Sequence, residues 1–415
     1  MKNVIFSLSF ALLLMSCSRN GDTDSDPDPL TPDPPATDSS TSPVETNPPN
    51  TNYRPAFSGQ TRVSGRTTST RYRATVITTS LTSPWGIVSL PDGRLLVTEK
   101  TGRMRIVTAS GNVSQPITGI PSVNASGQGG LLGLCIDPDF ATNRMVYWSF
   151  SEPITGGNLT SIAKGRLSDN EGTIEGATVI YRATPAYAGI NHYGGRVIFD
   201  RTGNLLISTG ERSDLATRPM AQFVNSSLGK IIRITKDGQP APGNPIINQP
   251  GARPELYSIG HRNPQGLAIH PATGELWQSE HGPRGGDEIN RVQAGANYGW
   301  PTITYGIEYS GQPVGNGIQQ SAGQEQPVYY WDPVVSPSGM TFYNSDRIAE
   351  WRNNLFIGSL SGMHIVRLVI ENNRVTGEER LLASERQRFR DLAQGTDGAL
   401  YAITDGGRLY RIDRE

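Results

Sequence analysis

Three groups of residues in this chain have the types and spacing to do chemistry. The first is His192, one of five histidines, in INHYGGRVIFD from Ile190 to Asp200, just before a short apolar run that reads as a strand. An imidazole there fits a general base working near neutral pH, and it fits a polar cap on the strand equally well. The second is a cationic group, Arg262, Arg388 and Arg390 with Arg386 nearby, in a chain with 37 basic and 38 acidic residues. Guanidinium forks match carboxylates and phosphates, so this group implies a multiply anionic ligand. The third is EHGPRGGDEIN from Glu280 to Asn290, followed by GANYGWP from Gly295 to Pro301. Gly and Pro free main-chain carbonyls to face a hard cation, and Asp287 and Glu288 add oxygens suited to Ca2+; an ordinary acidic turn has the same composition.

Other chemistries lack their residues. There is no Walker loop, no GxGxxG between a strand and a helix, and no HExxH or CxxC spacing. A GxSxG elbow is also absent, which argues against a lipase-like mechanism. The near-neutral balance removes the concentrated basic surface that nucleic acid requires.

The elements that must position these residues come from an internal repeat. A Gly, a short apolar strand, a turn rich in Asp, Pro or Gly, and a second apolar strand recur from Gly86, Gly133, Gly195, Gly266 and Gly339, with Asp391 opening a sixth copy. The copies lie roughly 45 to 75 residues apart, enough for one four-stranded sheet with variable outer loops. Alternating patterns, frequent Gly (47) and Pro (30), and no long helical period predict an all-β fold, a six-bladed β-propeller of four-stranded antiparallel blades. The segments just upstream of the repeated position hold Trp85, Gln128, His192, Arg262 with Asn263, Ser336, and Arg388 with Arg390. Polar groups converging on one position of a pseudo-symmetric ring point to a ligand site over the channel mouth.

Residues 1–17 read as a signal peptide: Lys2, an apolar run from Val4 to Met15 too short to span a bilayer, then Leu14-Met15-Ser16-Cys17, similar to a bacterial lipobox. Residues 18–55, rich in Asp, Pro, Thr and Ser, predict a disordered acidic tether, and 56–415 the propeller. Together these predict an exported protein, held to a membrane only by an N-terminal lipid and facing the periplasm or cell surface. Cys135, in LLGLCI, reads as an inert core residue.

GQGGLLGLCIDPDF, NHYGGRVIFD, SLGKIIRI, YSIGHRNPQGLAIHP, SEHGPRGGDEINRVQAGANYGWP and RFRDL together resemble the PQQ-dependent soluble aldose sugar dehydrogenases, a glucose/sorbosone dehydrogenase-like family. The resemblance covers essentially all of the chain after the tether. It implies an oxidoreductase that binds pyrroloquinoline quinone (PQQ) and Ca2+, oxidises an aldose at C1 to a lactone, and passes electrons to a quinone, cytochrome or dye. By the same resemblance His192 is the general base, and Gln128, Arg262, Asn263, Tyr309, Arg388 and Arg390 contact the cofactor. Gly282 and Pro283 offer main-chain carbonyls to its Ca2+, and Glu288 with the Tyr298 carbonyl holds a second, structural Ca2+. Ser361, in IGSLSGMH, stands where the family commonly has a cofactor-contacting lysine, and Asn191 replaces the acidic residue that precedes the base in the glucose-specific branch. The rival functions are a Ca2+-dependent propeller lactonase, which needs carboxylates facing the channel, and a non-catalytic tethered propeller that binds glycan or protein.

Overall fold

The innermost strand of each of six sheets begins at the repeated position: Pro84–Ser89, Leu131–Ile136, Val197–Phe199, Pro264–Ile269, Pro337–Phe342 and Phe389–Gln394. These strands touch one another in sequence, and the last touches the first, so they close a ring around a channel. This is a six-bladed propeller, seen in a computed structural model that describes residues 42–245 and 249–415. The expected signal peptide and lipobox, with the expected tether as far as residue 41, lie outside the described residues.

Five blades have four antiparallel strands. In blade one, residues 113 and 117 instead add isolated bridges to the third strand, at Val107 and Met104. The sixth blade is completed from the other end of the chain. Tyr72–Thr78 pairs antiparallel with Leu409–Arg414, which closes the ring by hydrogen bonds rather than by packing alone. That strand lies upstream of the first repeated copy and carries no repeat signature of its own.

Each neighbouring pair of blades shares one apolar cluster. Cys135 is buried in the cluster between blades two and three, and burial pushes its thiol pKa up, so it is inert as expected. The second strand of a blade is covered on both faces, and Leu95–Glu99, Leu205–Thr209, Leu276–Glu280, Leu355–Ser359 and Leu400–Thr404 are buried at every position. The strict apolar–polar alternation expected of the copies therefore fails there, because a strand packed between two blades has no solvent face.

The repeated Gly marks the closest approach between inner strands. A Cβ on Gly339 would lie 1.8 Å from Asp391 Oδ1, and one on Gly133 2.4 Å from the Gly195 carbonyl. A hydroxyl nearby ties blade one to two, three to four and four to five: Thr98 Oγ1 donates to Leu132 O at 2.6 Å, Ser208 Oγ to Pro264 O at 3.0 Å, and Ser279 Oγ to Ser338 O at 2.8 Å. Each such bond contributes about 0.5–1.5 kcal/mol net. Asp391, the exception to the Gly pattern, sends its carboxylate into the channel and pairs with Arg196 at 2.6 Å.

The tether expected to run to Pro55 stops short of it. Glu45 pairs with Arg380 at 2.8 Å, and the main chain and side chains of Asn50 and Thr51 donate to Asp332 at 2.7–3.0 Å. Short polar residues build no core of their own, but here the propeller presents charged groups that they can satisfy.

Candidate active site

Antiparallel pairing brings the start of each inner strand and the end of the second strand to the same end of a blade. At one mouth of the channel these segments enclose a cavity of about 420 Å3. Every blade contributes at its inner strand start: Trp85, Gln128, Tyr193, Gln265, Ser336, and Arg388 with Arg390. Second-strand ends add Lys100, His281 and Asp405.

His192 stands against this wall, between lining residues Gln128 and Tyr193. Its N–H donates to Gln128 Oε1 at 2.8 Å, which fixes a left-handed backbone with φ 49°. The ring is buried, with Nδ1 2.7 Å from Glu211 Oε1. A carboxylate only accepts, so Nδ1 carries the proton and Nε2 is left as the basic nitrogen. No hydrogen bond to Nε2 is made among the described residues. Glu211 is itself fixed, accepting from the Ser213 N–H at 2.8 Å and donating its own N–H to Arg262 O at 2.9 Å. Burial, reinforced by Arg262 and opposed by Glu211, lowers the His192 pKa from its usual 6.5, so the neutral base dominates at pH 7.

The arginines divide into two groups. Arg390 chelates Asp405 through Nε and Nη2 at 2.8 and 3.2 Å, and Arg388 Nε reaches the same carboxylate at 2.9 Å. Burial raises the Asp405 pKa, but the two arginines outweigh it and hold the group below its usual value. Arg262 does not line this cavity; it adjoins it through His281, donating to the carbonyls of His281 and Gly282 at 3.0 and 2.7 Å, with its guanidinium 5.2 Å from the Trp300 ring centre. Burial and Arg262 push His281 down to about 3, so it is neutral. Arg386 is exposed and does not line the cavity.

Three buried polar atoms in this region lack a protein partner: Arg262 Nε, Asn263 Nδ2 and His281 Nε2. Buried donors are rarely left unpaired, so these are open contacts for a bound polar molecule. The Asn263 carbonyl oxygen is used, accepting from the Gly194 N–H at 3.0 Å.

The acidic turn differs from expectation in one respect. Asp287 is committed to main-chain donors: Gly282 N–H at 2.8 Å, Val335 N–H at 2.9 Å and Ser336 N–H at 2.6 Å. It ties blade four to blade five at the mouth and is not free for a cation. Burial pushes it up to about 7 against those bonds. Gly282 is confined to a tight turn, where a Cβ would lie 2.3 Å from Gly286, and Pro283 is buried beside it. Glu288 and Tyr298 do come together, with Glu280, around a separate void of about 10 Å3, the size of a single water or ion. Glu280 and Glu288 face each other across paired strands, and burial together with Glu280 holds Glu288 well above the usual carboxylate range.

Of the expected site residues, Gln128, Arg388 and Arg390 line the cavity. His192, Arg262, Asn263 and Gly282, with Pro283 beside it, adjoin lining residues without lining it themselves, and Tyr309 and Ser361 are not brought to its wall. Tyr309 is 72% exposed on a loop whose Glu308 pairs with Arg218. Ser361 Oγ lies at the rim, 2.7 Å from Ser336 Oγ, and only Ser336 lines the cavity. Lys100, Glu211, Asp405 and the positioning role of Asp287 escaped the sequence reading. A signal existed: the second strands of several copies end in TEK, TGE, SEH and TD, and antiparallel pairing carries those ends to the mouth.

The family model "Glucose / Sorbosone dehydrogenase" matches residues 81–411. "Aldose sugar dehydrogenase YliI" of Escherichia coli (strain K12) is 42% identical over 342 residues, covering 81% of this chain and 91% of that protein. The soluble aldose sugar dehydrogenase of Escherichia coli, solved in its apo form, superposes with a TM-score of 0.79 at 40% identity, covering 83% of this chain and all of that one. The PQQ-bound aldose sugar dehydrogenase of Streptomyces coelicolor gives 0.69 at 30% identity, over 84% of this chain and all of its own. The matched span holds the inner strands of all six blades and every residue lining the mouth, so the chain belongs to the glucose/sorbosone dehydrogenase family.

Proposed function

We propose that this protein is a PQQ- and Ca2+-dependent aldose dehydrogenase that oxidises a sugar at C1 to the lactone, with His192 as general base. The observation that carries the proposal is a buried His192 whose Nδ1 is committed to Glu211 and whose Nε2 is free, beside a cavity lined by Lys100, Arg388 and Arg390. The residues present fit PQQ, a tricarboxylate: the mouth offers an excess of cations and three unpaired buried polar atoms. When bound, PQQ supplies the hydride acceptor, and Ca2+ a Lewis acid beside it.

The chain's own groups do the rest. Arg388 and Arg390 would hold carboxylates and Gln128 would offer an amide contact from the cavity lining, with Arg262 and Asn263 contributing from next to it. The carbonyls of Gly282 and Pro283 would be oxygen ligands for the cation, the Gly282 oxygen also accepting from Arg262 Nη1 at 2.7 Å. Trp85 and Tyr193 line the cavity and pack with Leu132 in one apolar cluster. His192 Nε2 takes the C1 hydroxyl proton as the hydride departs from the same carbon. Protein loaded with PQQ and Ca2+ is expected to reduce a redox dye when an aldose is added, and protein without PQQ is not. Loaded protein that stays inert to a panel of aldoses would overturn the proposal. A lactonase would need carboxylates to hold its metal in the cavity, where the lining carries one, Asp405, already bound by two arginines.

Glu288 and the Tyr298 carbonyl are proposed to hold a second Ca2+. Without it, the raised pKa of Glu288 means the folded protein keeps a proton that the unfolded chain releases, so raising pH through that range costs stability. Ca2+ at about 100-fold over its Kd should add about 2.7 kcal/mol. The thermal midpoint should rise by several degrees with Ca2+, and the rise should vanish in Glu288→Gln; a variant that keeps the full rise would exclude this residue as a ligand.

A further inference from the structure

We infer that Lys100 anchors an anionic group of the cofactor, supplying from blade one the ammonium contact that blade five, with Ser361, does not offer; this rests on the PQQ reading above. Lys100 and Ser361 both follow the end of a second strand, in the two blades that flank blade six and its Arg388–Arg390 pair. Lys100 lines the cavity, whereas the Ser361 hydroxyl is turned to Ser336 at its rim.

The backbone of Lys100 is held from both sides. Its N–H donates to Ser83 O at 3.1 Å, and its carbonyl accepts from the Leu131 N–H at 3.0 Å. A Cβ on Gly130 would lie 2.3 Å from that carbonyl, so the loop of blade two closes tightly over it. The side chain makes one described hydrogen bond, from Nζ to the Gly127 carbonyl at 2.7 Å. An ammonium carries three donors, so two remain for a ligand. The lining holds Lys100, Arg388 and Arg390 against Asp405, a net charge of +2 (three positive, one negative), which falls to +1 without Lys100. Burial, then Arg390, lowers the Lys100 pKa, and Asp405 only partly opposes them. An anion entering the cavity relieves that cost, so Lys100 favours an occupied site over an empty one.

The test is PQQ affinity, read by fluorescence titration of apoprotein with Ca2+ present, at low and high salt. Lys100→Met should weaken binding roughly 10- to 100-fold, the loss expected for one charge-assisted contact, with a shallower salt dependence than wild type. Lys100→Arg should stay within a few-fold of wild type, and Ser361→Lys added to Lys100→Met should recover most of the loss. Lys100→Met binding PQQ as wild type does would overturn the inference and leave the proposed function intact. A loss that neither Lys100→Arg nor Ser361→Lys recovers would also overturn it, because the lysine would then be acting on the Gly127 loop. Wild-type protein that fails to bind PQQ would overturn the function and the inference together.

Discussion

Replacing His192 with alanine is expected to lower kcat by roughly 10²–10⁴-fold, the range for losing a positioned general base, with PQQ affinity within a few-fold of wild type. The separation follows from the geometry. The His192 ring is held by Glu211, and its main-chain N–H, which alanine keeps, is what Gln128 binds. The acid limb of kcat/KM should lie below pH 6.5, because burial and Arg262 lower the pKa of the base. Glu211→Gln removes the group that opposes that shift, so the limb should move to still lower pH while kcat falls through loss of ring orientation. A purely structural role for Glu211 would lower kcat and leave the limb in place. The same sign applies to stability: folded His192 binds a proton less readily than the unfolded chain, so acidification below about pH 6.5 costs stability. His192→Ala with wild-type turnover would remove it as the base.

Asp391→Ala is expected to be the most destabilising single change in the channel, by about 3–5 kcal/mol, the cost of leaving a buried charge without its partner. Arg196 is buried, with its guanidinium 4.5 Å from the Trp85 ring centre and Nε donating to Gln265 O at 3.0 Å. Nη1 depends on Asp391, and Nη2 already lacks a partner. Asp391 also accepts from the Ile87 N–H at 3.1 Å, so its loss strips blade one of a contact. Burial raises the Asp391 pKa despite Arg196, so the attraction does not fully offset dehydration. The pair is therefore costly to break rather than strongly stabilising when whole. Asp391→Ala combined with Arg196→Met should recover much of the loss. Denaturant midpoints check both variants, and a change below about 1 kcal/mol in Asp391→Ala would mean the channel hydrates the arginine.

The blade pattern was legible because a propeller repeats its constraints. The same Gly recurs where a Cβ would strike the next inner strand, and Asp391 is conspicuous as the position that breaks the rule. Searching upstream of that Gly found Gln128, His192, Arg262, Arg388 and Arg390, since the inner strands all start at one mouth. It missed Lys100, Glu211, His281 and Asp405, which reach the same end of the blades from the ends of second strands, 14 to 17 residues downstream of their inner strands' starts. Asp287 read as a cation ligand because sequence shows a carboxylate and not the three main-chain donors that fold around it. Tyr72–Thr78 was invisible as part of blade six, because its pairing partner lies at the far end of the chain. The docking of Asn50 and Thr51 was hidden likewise, since composition reports what a segment cannot bury and not which acceptor awaits it.

If the channel mouth binds PQQ and His192 serves as base, the loaded protein must transfer electrons from an aldose to its own cofactor. The most direct test is a single turnover without any electron acceptor. Apoprotein is loaded with PQQ and Ca2+, freed of excess cofactor and oxygen, and mixed with an aldose while the cofactor spectrum is followed. Wild type is expected to reduce about one equivalent of bound cofactor per chain, and His192→Ala to do so roughly 10²–10⁴-fold more slowly at equal cofactor loading. Wild-type protein that retains PQQ yet leaves it oxidised with every aldose tried would exclude aldose oxidation at this mouth, and a His192→Ala variant that reduces it at the wild-type rate would exclude His192 as the base.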